Sequence, residues 1–325
     1  MLKAKSLVLG IIFTFLVFHV DFCPEYNTKV HNYEENNESL KLSTITEKIH
    51  IDNNWSAAKT AGICSGEGTP SEPYVIEDLI IDGQINRSCI LIENSNVYVR
   101  IENCTVFNSE KSEESGIALK NSEKVTIINN DCSNNFYGIF IQESKSISIL
   151  ANTIINCSYA IRIDSSHHNV ISENILKKAQ EGIMLGGSDF NVVSDNVANE
   201  NRQRGIYLNR AHNNTIIGNT ANNNIQGIGL LYADNNLITK NVIYYNEIAA
   251  ISILTSNYNQ IIDNDLRFNP TTFEISGGTG NVFQDNLEGD VRPFLAFLII
   301  SGIVAIAIAI PIGIWIIKRK RRYRI

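Results

Sequence analysis

The stretch Gly182-Ile-Met-Leu-Gly-Gly-Ser-Asp-Phe-Asn-Val-Val-Ser-Asp-Asn196 decides the fold, because much of the chain repeats it. The phrase Gly-Ile-x-Leu, or a close variant, recurs every 22 or 23 residues, starting at Gly116, Gly138, Ala160, Gly182, Gly205, Gly227, Ala250 and Thr272. Self-similarity at a fixed period of roughly 20–50 residues is typical of repeat proteins, in which each unit forms one coil of a solenoid.

Three columns of the repeat are apolar in all eight units. Counting each start as offset zero, offset one is Ile or Phe, offset three is Leu or Ile, and offset eleven is Ile, Val or Phe. Two apolar residues separated by a variable one form a short strand with two inward side chains. Further apolar residues near offset sixteen complete three short strands per coil. The pattern predicts an all-β fold, a right-handed parallel β-helix, which is a solenoid of ~22-residue coils.

Asparagine fills two further columns, offset fourteen in all eight units and offset nine in the last six. An Asn at a turn can adopt a left-handed conformation, or its amide can hydrogen-bond to the identical amide one coil away. The columns account for much of the composition, since the 325 residues include 41 Asn and 51 Ile. Asn is a poor helix former and Ile favours strands, so neither a helix bundle nor a doubly wound α/β enzyme is expected.

Both ends of the chain differ from the repeat. Residues 1–22 carry Lys3 and Lys5 before an apolar run, which predicts a signal peptide or an uncleaved signal anchor. Residues 23–44 are polar and are interpreted as a linker. Phe294–Ile317 contains no charged residue and precedes a basic segment at 318–325, which predicts a transmembrane helix and a cytoplasmic tail. The predicted location is therefore the cell membrane, single-pass, with the β-helix outside.

The predicted ectodomain spans residues 45–291, with an N-terminal cap at 45–88 and coils at 89–288. The coil that starts at Cys89 is 27 residues long, so Asn108–Ser115 is interpreted as an inserted acidic loop, and Asn103 is assigned to offset fourteen.

The charge of the exported region argues against one class of partner. The whole chain has a formal net charge of −7, but without the basic ends 19 basic residues face 34 acidic ones, a net charge of −15. An acidic domain repels phosphate backbones, so nucleic acid is not expected as a partner. Export would also make the N-x-S/T sequons possible glycosylation sites, at Asn37, Asn54, Asn86, Asn103, Asn156 and Asn213.

The stretch Ser65-Gly-Glu-Gly-Thr-Pro-Ser-Glu-Pro-Tyr-Val-Ile-Glu-Asp-Leu-Ile-Ile-Asp-Gly83, followed by the Gly-Ile-x-Leu coils, resembles the NosD-like right-handed parallel β-helix family. That family overlaps the carbohydrate-binding proteins and sugar hydrolases built on β-helix repeats. The resemblance covers roughly residues 45–290. It implies either a carbohydrate-related role or an accessory role in copper-enzyme maturation beside a membrane transporter. It specifies fold more strongly than activity, since function depends on a site.

The first candidate site is the outward face of the first strand of each coil. Offsets two and four place a mixed strip of side chains there, which comprises Phe140, Arg162, Met184, Tyr207, Asp164 and Asn209. Aromatic, cationic, carboxylate and amide groups together suit the rings and hydroxyls of sugars, whereas the alternative is an ordinary solvated strand surface. If the strip were catalytic, Asp164 with Arg162 would carry the reaction. A second carboxylate is missing, so a two-acid glycosidase is not supported.

Two other groups carry possible chemistry. Offset seven alternates histidine and aspartate over four successive coils, at His167, Asp189, His212 and Asp234, which suits either a divalent metal or a ladder of alternating charges. Cysteines 104 and 132 fall at offsets fifteen and sixteen of neighbouring coils, so they either form a disulfide after a small register shift or remain buried thiols. No cofactor is predicted.

These features predict a membrane-anchored extracytoplasmic β-helix that acts as a binding or scaffold protein. Its expected partners are cell-surface glycans or other envelope proteins, with the membrane contacted through Phe294–Ile317. One alternative is a polysaccharide lyase or glycoside hydrolase that works in the β-helix groove. The other is a NosD-like accessory factor in copper-enzyme maturation. The sequence leans towards a protein without enzymatic activity but leaves catalysis open.

Overall fold

The computed structural model describes residues 47–85 and 87–289. These residues form one short helix and 25 strands, wound into about ten coils of a right-handed parallel β-helix. The helix, α1 (Trp55–Thr60), lies in the cap, where Trp55 stacks on Tyr74 with ring centroids 4.9 Å apart. The predicted fold is confirmed.

Each coil contributes a strand to the first sheet and to the second sheet. The first sheet contains, in order, β1 (Ile49–Asp52), β4 (Ile90–Glu93), β7 (Ser115–Lys120), β9 (Tyr137–Gln142), β12 (Tyr159–Asp164), β15 (Glu181–Gly186), β18 (Arg204–Asn209), β20 (Gln226–Leu231), β22 (Ala249–Leu254) and β24 (Thr271–Ser276). The second contains β2 (Tyr74–Glu77), β5 (Val99–Glu102), β8 (Val125–Ile128), β10 (Ser148–Leu150), β13 (Val170–Ser172), β16 (Val192–Ser194), β19 (Thr215–Ile217), β21 (Leu237–Thr239), β23 (Gln260–Ile262) and β25 (Val282–Gln284).

The third face of the rod is less continuous. Two strands pair near the cap and three pair in the middle, namely β3 (Ile80–Asp82) with β6 (Thr105–Phe107), and β11 (Thr153–Ile155), β14 (Ile175–Lys177) and β17 (Val197–Asn199). Single parallel bridges continue this face from Val197 through Thr220, Val242 and Asp265 to Leu287. The third strand predicted near offset sixteen is therefore present in part of the rod and reduced to one bridge per coil elsewhere.

The apolar columns form the core. Offsets one, three and eleven are almost fully buried in the first seven units, as are the residues at offset sixteen, such as Ile154 and Leu176. Each buried aliphatic side chain contributes roughly 2 kcal/mol of transfer free energy. The last unit differs, since Ile275 is 51% exposed and Phe283 is 37% exposed. No further coil covers them within the described part of the chain.

The asparagine columns form buried ladders. At offset fourteen the side-chain oxygen of Asn196 accepts hydrogen bonds from the backbone N–H and the amide of Asn174, at 3.0 and 2.9 Å, and its own amide donates to Asn219 at 3.0 Å. Offset nine repeats this arrangement from Asn169 to Asn281. The left-handed residue is the one before each ladder Asn, such as Asp195 with φ 55°. Of the two predicted roles for these asparagines, the amide ladder is therefore confirmed.

Two details of the predicted register are wrong. Asn103 is exposed and lies outside the ladder, because Cys104 occupies that place and its backbone N–H donates to Asn130 at 2.9 Å. One additional residue between Cys89 and Ile101 causes this shift, since Ile90 pairs with Ile117 whereas Ile101 pairs with Ile127. The inserted loop ends at Glu114, since Ser115 already belongs to β7.

The predicted terminal segments lie outside the described residues. This applies to the signal segment 1–22, the linker 23–44, the transmembrane helix Phe294–Ile317 and the tail 318–325. Across residues 47–85 and 87–289, no helix has the length and apolar character needed to cross a membrane.

Candidate functional site

The outer face of the first sheet brings the six strip residues together. Its strands pair in register, so Phe140, Arg162, Met184 and Tyr207 are consecutive in one column. Asp164 and Asn209 belong to the neighbouring column, on either side of Gly186. All six side chains are half-buried. A side chain added at Gly186 would lie 2.5 Å from the Asp164 carboxylate, so glycine there keeps the surface beside that carboxylate open.

Arg162 is the centre of one cluster. Its Nε donates to Asp164 at 2.8 Å and its Nη1 to the Tyr137 hydroxyl at 3.2 Å. The guanidinium also lies 5.5 and 5.3 Å from the ring centroids of Tyr137 and Tyr159, within the range of a cation–π contact. Phe140 stacks on Tyr137 at 4.9 Å. These contacts hold an arginine, a carboxylate and three aromatic rings in a fixed arrangement.

A cavity of about 250 Å³ lies beside this cluster, lined by Tyr137, Phe140, Arg162 and Asp164 together with Glu113, Lys120 and Gln142. Burial raises the pKa of Asp164, and the neighbouring Arg162 partly offsets that rise. The cavity therefore combines apolar ring faces with groups that can donate and accept hydrogen bonds.

A second cluster on the same face contains a buried carboxylate that the sequence reasoning missed. Glu181 is 3% exposed, its Oε1 accepts from Arg204 Nη1 at 2.8 Å, and its Oε2 has no hydrogen-bond partner among the described residues. Burial raises the pKa of Glu181 to about 7, against the lowering effect of Arg204. The Arg204 guanidinium also lies 4.1 Å from the ring centroid of Tyr207. Glu181 lies one residue before the repeat phrase and therefore outside offsets two and four, which define the strip.

The two carboxylates are too far apart to act as a glycosidase pair. Asp164 pairs with Gly186, which lies five residues along β15 from Glu181. At ~3.3 Å per residue this is a separation of ~17 Å along the strand. Paired acids in glycosidases lie about 5–9.5 Å apart. Asp164 and Glu181 therefore do not form such a pair.

The offset-seven residues form a ladder along one turn. The backbone N–H of Asp189 donates to His167 Nδ1 at 3.0 Å, that of His212 to Asp189 Oδ1 at 2.7 Å, and that of Asp234 to His212 Nδ1 at 3.1 Å. Each side chain thus bonds to the backbone of the next coil, and the Nδ1 lone pairs of both histidines are used. Within residues 47–85 and 87–289, no three His, Cys, Asp or Glu side chains are grouped to hold a metal ion.

The cysteines do not supply a copper site either. The five thiols of the described region, Cys64, Cys89, Cys104, Cys132 and Cys157, are free and buried. Cys104 and Cys132 occupy different columns, because Thr105 pairs with Asp131 and so places Cys132 beside Val106. Burial raises the pKa of Cys104 to about 11 and that of Cys157 to about 12, so they remain protonated thiols near neutral pH.

Copper, which the family resemblance implies, needs soft or imidazole donors that converge. The residues described here do not fit a resident copper ion, since the thiols are buried in the core, Met184 is the one described methionine, and the two ladder histidines already bond to the backbone.

The predicted glycosylation sites that lie in the described residues are accessible to modification. Asn54, Asn103, Asn156 and Asn213 are exposed. Asn37 and Asn86 lie outside the described residues. Exposure is a condition for glycosylation, so these four remain candidates.

Solved structures with a similar fold include viral proteins and an enzyme. The Dettilon tailspike protein (gp208) is 16% identical, with a TM-score of 0.51 over 67% of this chain and 54% of that one. ORF18 of Geobacillus virus E2 is 12% identical, with a TM-score of 0.52 over 74% and 59%. A mutant of DFA-IIIase from Arthrobacter chlorophenolicus A6 is 13% identical, with a TM-score of 0.54 over 65% and 61%. The chain thus spans 54–61% of the length of these proteins, and the likeness shows the fold alone.

A search of curated proteins gave no match. The sequence profile of the NosD family, described as periplasmic copper-binding protein (NosD), matches residues 97–290, which is more than half of the chain. The matched region runs from the second sheet of an early coil to the end of the described rod. Repeat, register and profile agree, and the chain belongs to the NosD family.

Proposed function

We propose that this protein is a membrane-anchored, extracytoplasmic binding module that holds surface glycans on the outer face of its first sheet. The observation that carries the proposal is the cluster around Arg162, in which a cation, a carboxylate and three aromatic rings lie beside a cavity of about 250 Å³. The family description as periplasmic supports a location outside the cytoplasm, and the apolar segment Phe294–Ile317 supports the anchor.

The cluster suits a sugar for two reasons. Aromatic rings such as Phe140 offer flat apolar faces to the C–H faces of a sugar, whereas Arg162 and Asp164 offer a donor and an acceptor to its hydroxyls. The ion pair and the ring contacts already fix these side chains, so little rotamer entropy is lost when a ligand binds. An apolar ligand would contact the ring faces alone and would not use the remaining hydrogen-bonding capacity of Arg162 and Asp164.

A glycan array with the purified full chain tests the proposal. We expect Arg162→Ala to weaken binding about tenfold or more, since it removes a charge-assisted hydrogen bond and the two ring contacts. Arg100→Ala is the matched control, because Arg100 is an exposed arginine on the second sheet that pairs with Glu102 at 3.5 Å. The proposal fails if no glycan binds, or if both variants bind as the unaltered protein does.

A second candidate function is that of a polysaccharide lyase or hydrolase, and Glu181 is the observation that favours it. A carboxyl group with a pKa of about 7 can exchange a proton near neutral pH, and Arg204 could stabilise negative charge next to it. Because Glu181 is 3% exposed, a substrate would have to displace Arg204 to reach it. This requirement makes catalysis the weaker of the two proposals.

Product analysis separates the two candidates. The protein is incubated with acidic polysaccharides, and unsaturated or reducing ends are measured over time. An enzyme produces such ends, and Glu181→Gln then abolishes the activity, whereas a binding module produces none although it retains the polysaccharide. Activity that survives Glu181→Gln would exclude this residue as the proton carrier.

A further inference from the structure

A larger cavity lies on the same face near the N-terminal cap. It measures about 510 Å³ and lies over β1, β4 and β7, where Leu91, Ala118 and Phe140 are consecutive in the offset-two column. The small side chain of Ala118 leaves a depression between its two larger neighbours. The inserted loop, residues 108–114, forms one wall and contributes Lys111, Glu113 and Glu114.

The loop is fixed to the rod on both sides. The backbone N–H of Lys111 donates to the Ile85 carbonyl at 3.1 Å, and the N–H of Tyr137 donates to the Glu114 carbonyl at 3.0 Å. The Ser88 hydroxyl donates to the Glu114 carboxylate at 3.1 Å. The inserted loop is therefore held by hydrogen bonds in a position where it forms one wall of the cavity.

Four cations converge on this cavity from separate parts of the chain, namely Lys48, Arg87, Lys111 and Lys120. The described residues contain 16 Lys and Arg against 28 Asp and Glu, so a quarter of the cations of an acidic rod lie here. None of the four forms an ion pair with a carboxylate among the described residues, whereas most other arginines on the rod do. Like charges brought together without partners repel, and a bound anion relieves that repulsion.

The two carboxylates at the cavity leave an excess of positive charge. Glu113 is exposed, and Glu114 accepts from Ser88. One histidine, His50, also lines the cavity, and its ring nitrogen already pairs with Glu93 at 2.7 Å. Four cations against two carboxylates therefore favour an anionic ligand at this position, although the rod as a whole repels anions.

The cavity adjoins the one beside Arg162. Lys120, Phe140 and Glu113 line both. Together the two cavities extend over the strands from β1 to β12, a distance of ~19 Å at ~4.8 Å per strand. A polymer that lies along this groove would meet the basic cavity and the aromatic cluster at once. A small free anion would use the first cavity alone.

From this placement we infer that the groove selects acidic glycans, with a uronate carboxylate or a sulfate ester bound by Lys48, Arg87, Lys111 and Lys120, and with sugar rings on Phe140. The inference rests on the proposed glycan-binding function and specifies its ligand class. Carboxylate and sulfate share the required negative charge, so the experiment separates them.

The test measures binding of three oligosaccharides of equal length to the full chain in detergent, one of uronates, one sulfated and one neutral. We expect at least one acidic oligosaccharide to bind at least tenfold more tightly than the neutral one, with an affinity that falls as salt is added. The double variant Lys111→Ala/Lys120→Ala should remove most of that preference. Neither lysine side chain makes a hydrogen bond among the described residues, so the variant is expected to fold, and circular dichroism verifies this. Lys177→Ala, on the third face, is the control.

Each result decides the question. Preference for the uronate or for the sulfated chain, lost in the double variant but not in Lys177→Ala, supports the inference and identifies the anion. Equal binding of acidic and neutral chains that depends on Arg162 overturns it and leaves glycan binding intact. Binding to vesicles of anionic phospholipid through the same lysines, with no glycan bound, overturns both proposals in favour of a membrane contact.

Discussion

Replacing Asn196 with alanine cuts the offset-fourteen ladder in the middle of the rod. The side chain is fully buried and makes five hydrogen bonds: it donates to Ile171, Ser194 and Asn219 and accepts two from Asn174. The change leaves the buried backbone N–H of Asn174 without its acceptor, which costs about 1–3 kcal/mol, and the other bonds contribute about 1 kcal/mol or less each. We therefore expect the free energy of unfolding to fall by about 3–5 kcal/mol.

Urea unfolding followed by circular dichroism measures this loss, and amide hydrogen exchange locates it. The Asn174 amide should exchange much faster in the variant than in the unaltered protein, because its protection depends on Asn196. Asn96→Ala is the control, since Asn96 is exposed and its side chain makes no hydrogen bond among the described residues; we expect a change within about 0.5 kcal/mol. A loss below about 1 kcal/mol for Asn196→Ala, with the Asn174 amide still protected, would refute the ladder as a source of stability.

Three further predictions concern acid–base behaviour, thiols and metal. The raised pKa of Glu181, about 7 against an ordinary 4.5, means that the folded state holds this proton more tightly than the unfolded state. Its contribution to stability is therefore complete below about pH 4.5 and is lost as the pH rises through 7, a loss on the order of 3 kcal/mol in total. The urea midpoint of the unaltered protein should therefore fall between pH 5 and pH 8, and Glu181→Gln should reduce that fall. Iodoacetamide at pH 8 should label Cys132 and Cys157 only after unfolding, since burial raises the pKa of both thiols, and native labelling seen by peptide mapping would contradict their burial. For the metal, the protein is dialysed against a chelator and then given one equivalent of copper, and elemental analysis should find well below one copper per chain. Stoichiometric retention would show that donors outside the described residues, or a rearrangement, complete a site.

The architecture could be predicted because each interior position is repeated. The apolar columns and the ladders at offsets nine and fourteen recur in nearly every coil, so a single sequence contains its own alignment. A third ladder, at offset nineteen, does not follow from the sequence pattern in the same way. It is formed by Asn201, Asn224, Asn246 and Asn269. Cys157 and Ala179 occupy the same column further upstream, so asparagine recurs there in fewer coils than at offset fourteen.

The candidate site could be predicted only in part, for a different physical reason. Register alone brings Phe140, Arg162, Met184 and Tyr207 into one column, so their proximity follows from the period. Glu181 is buried and bonds to Arg204, which reaches across from the next strand, and one wall of the basic cavity is an insertion that breaks the period. The spacing of the repeat does not predict contacts of side chains that differ from one coil to the next.

The direction of the asparagine ladders has a consequence for how such a rod changes length. In the offset-fourteen ladder, the side-chain oxygen of each inner Asn accepts from the coil before it, and its amide donates both to a carbonyl of that coil and to the Asn of the coil after it. Along this ladder the junctions between coils are therefore chemically alike. If one whole unit of 22 residues is deleted or duplicated, each exposed group meets an identical replacement. The rod can therefore be shortened or extended in steps of ~4.8 Å without a new kind of contact. Evolution can thus set the length of the proposed ligand groove independently of the hydrogen bonds that hold the coils together.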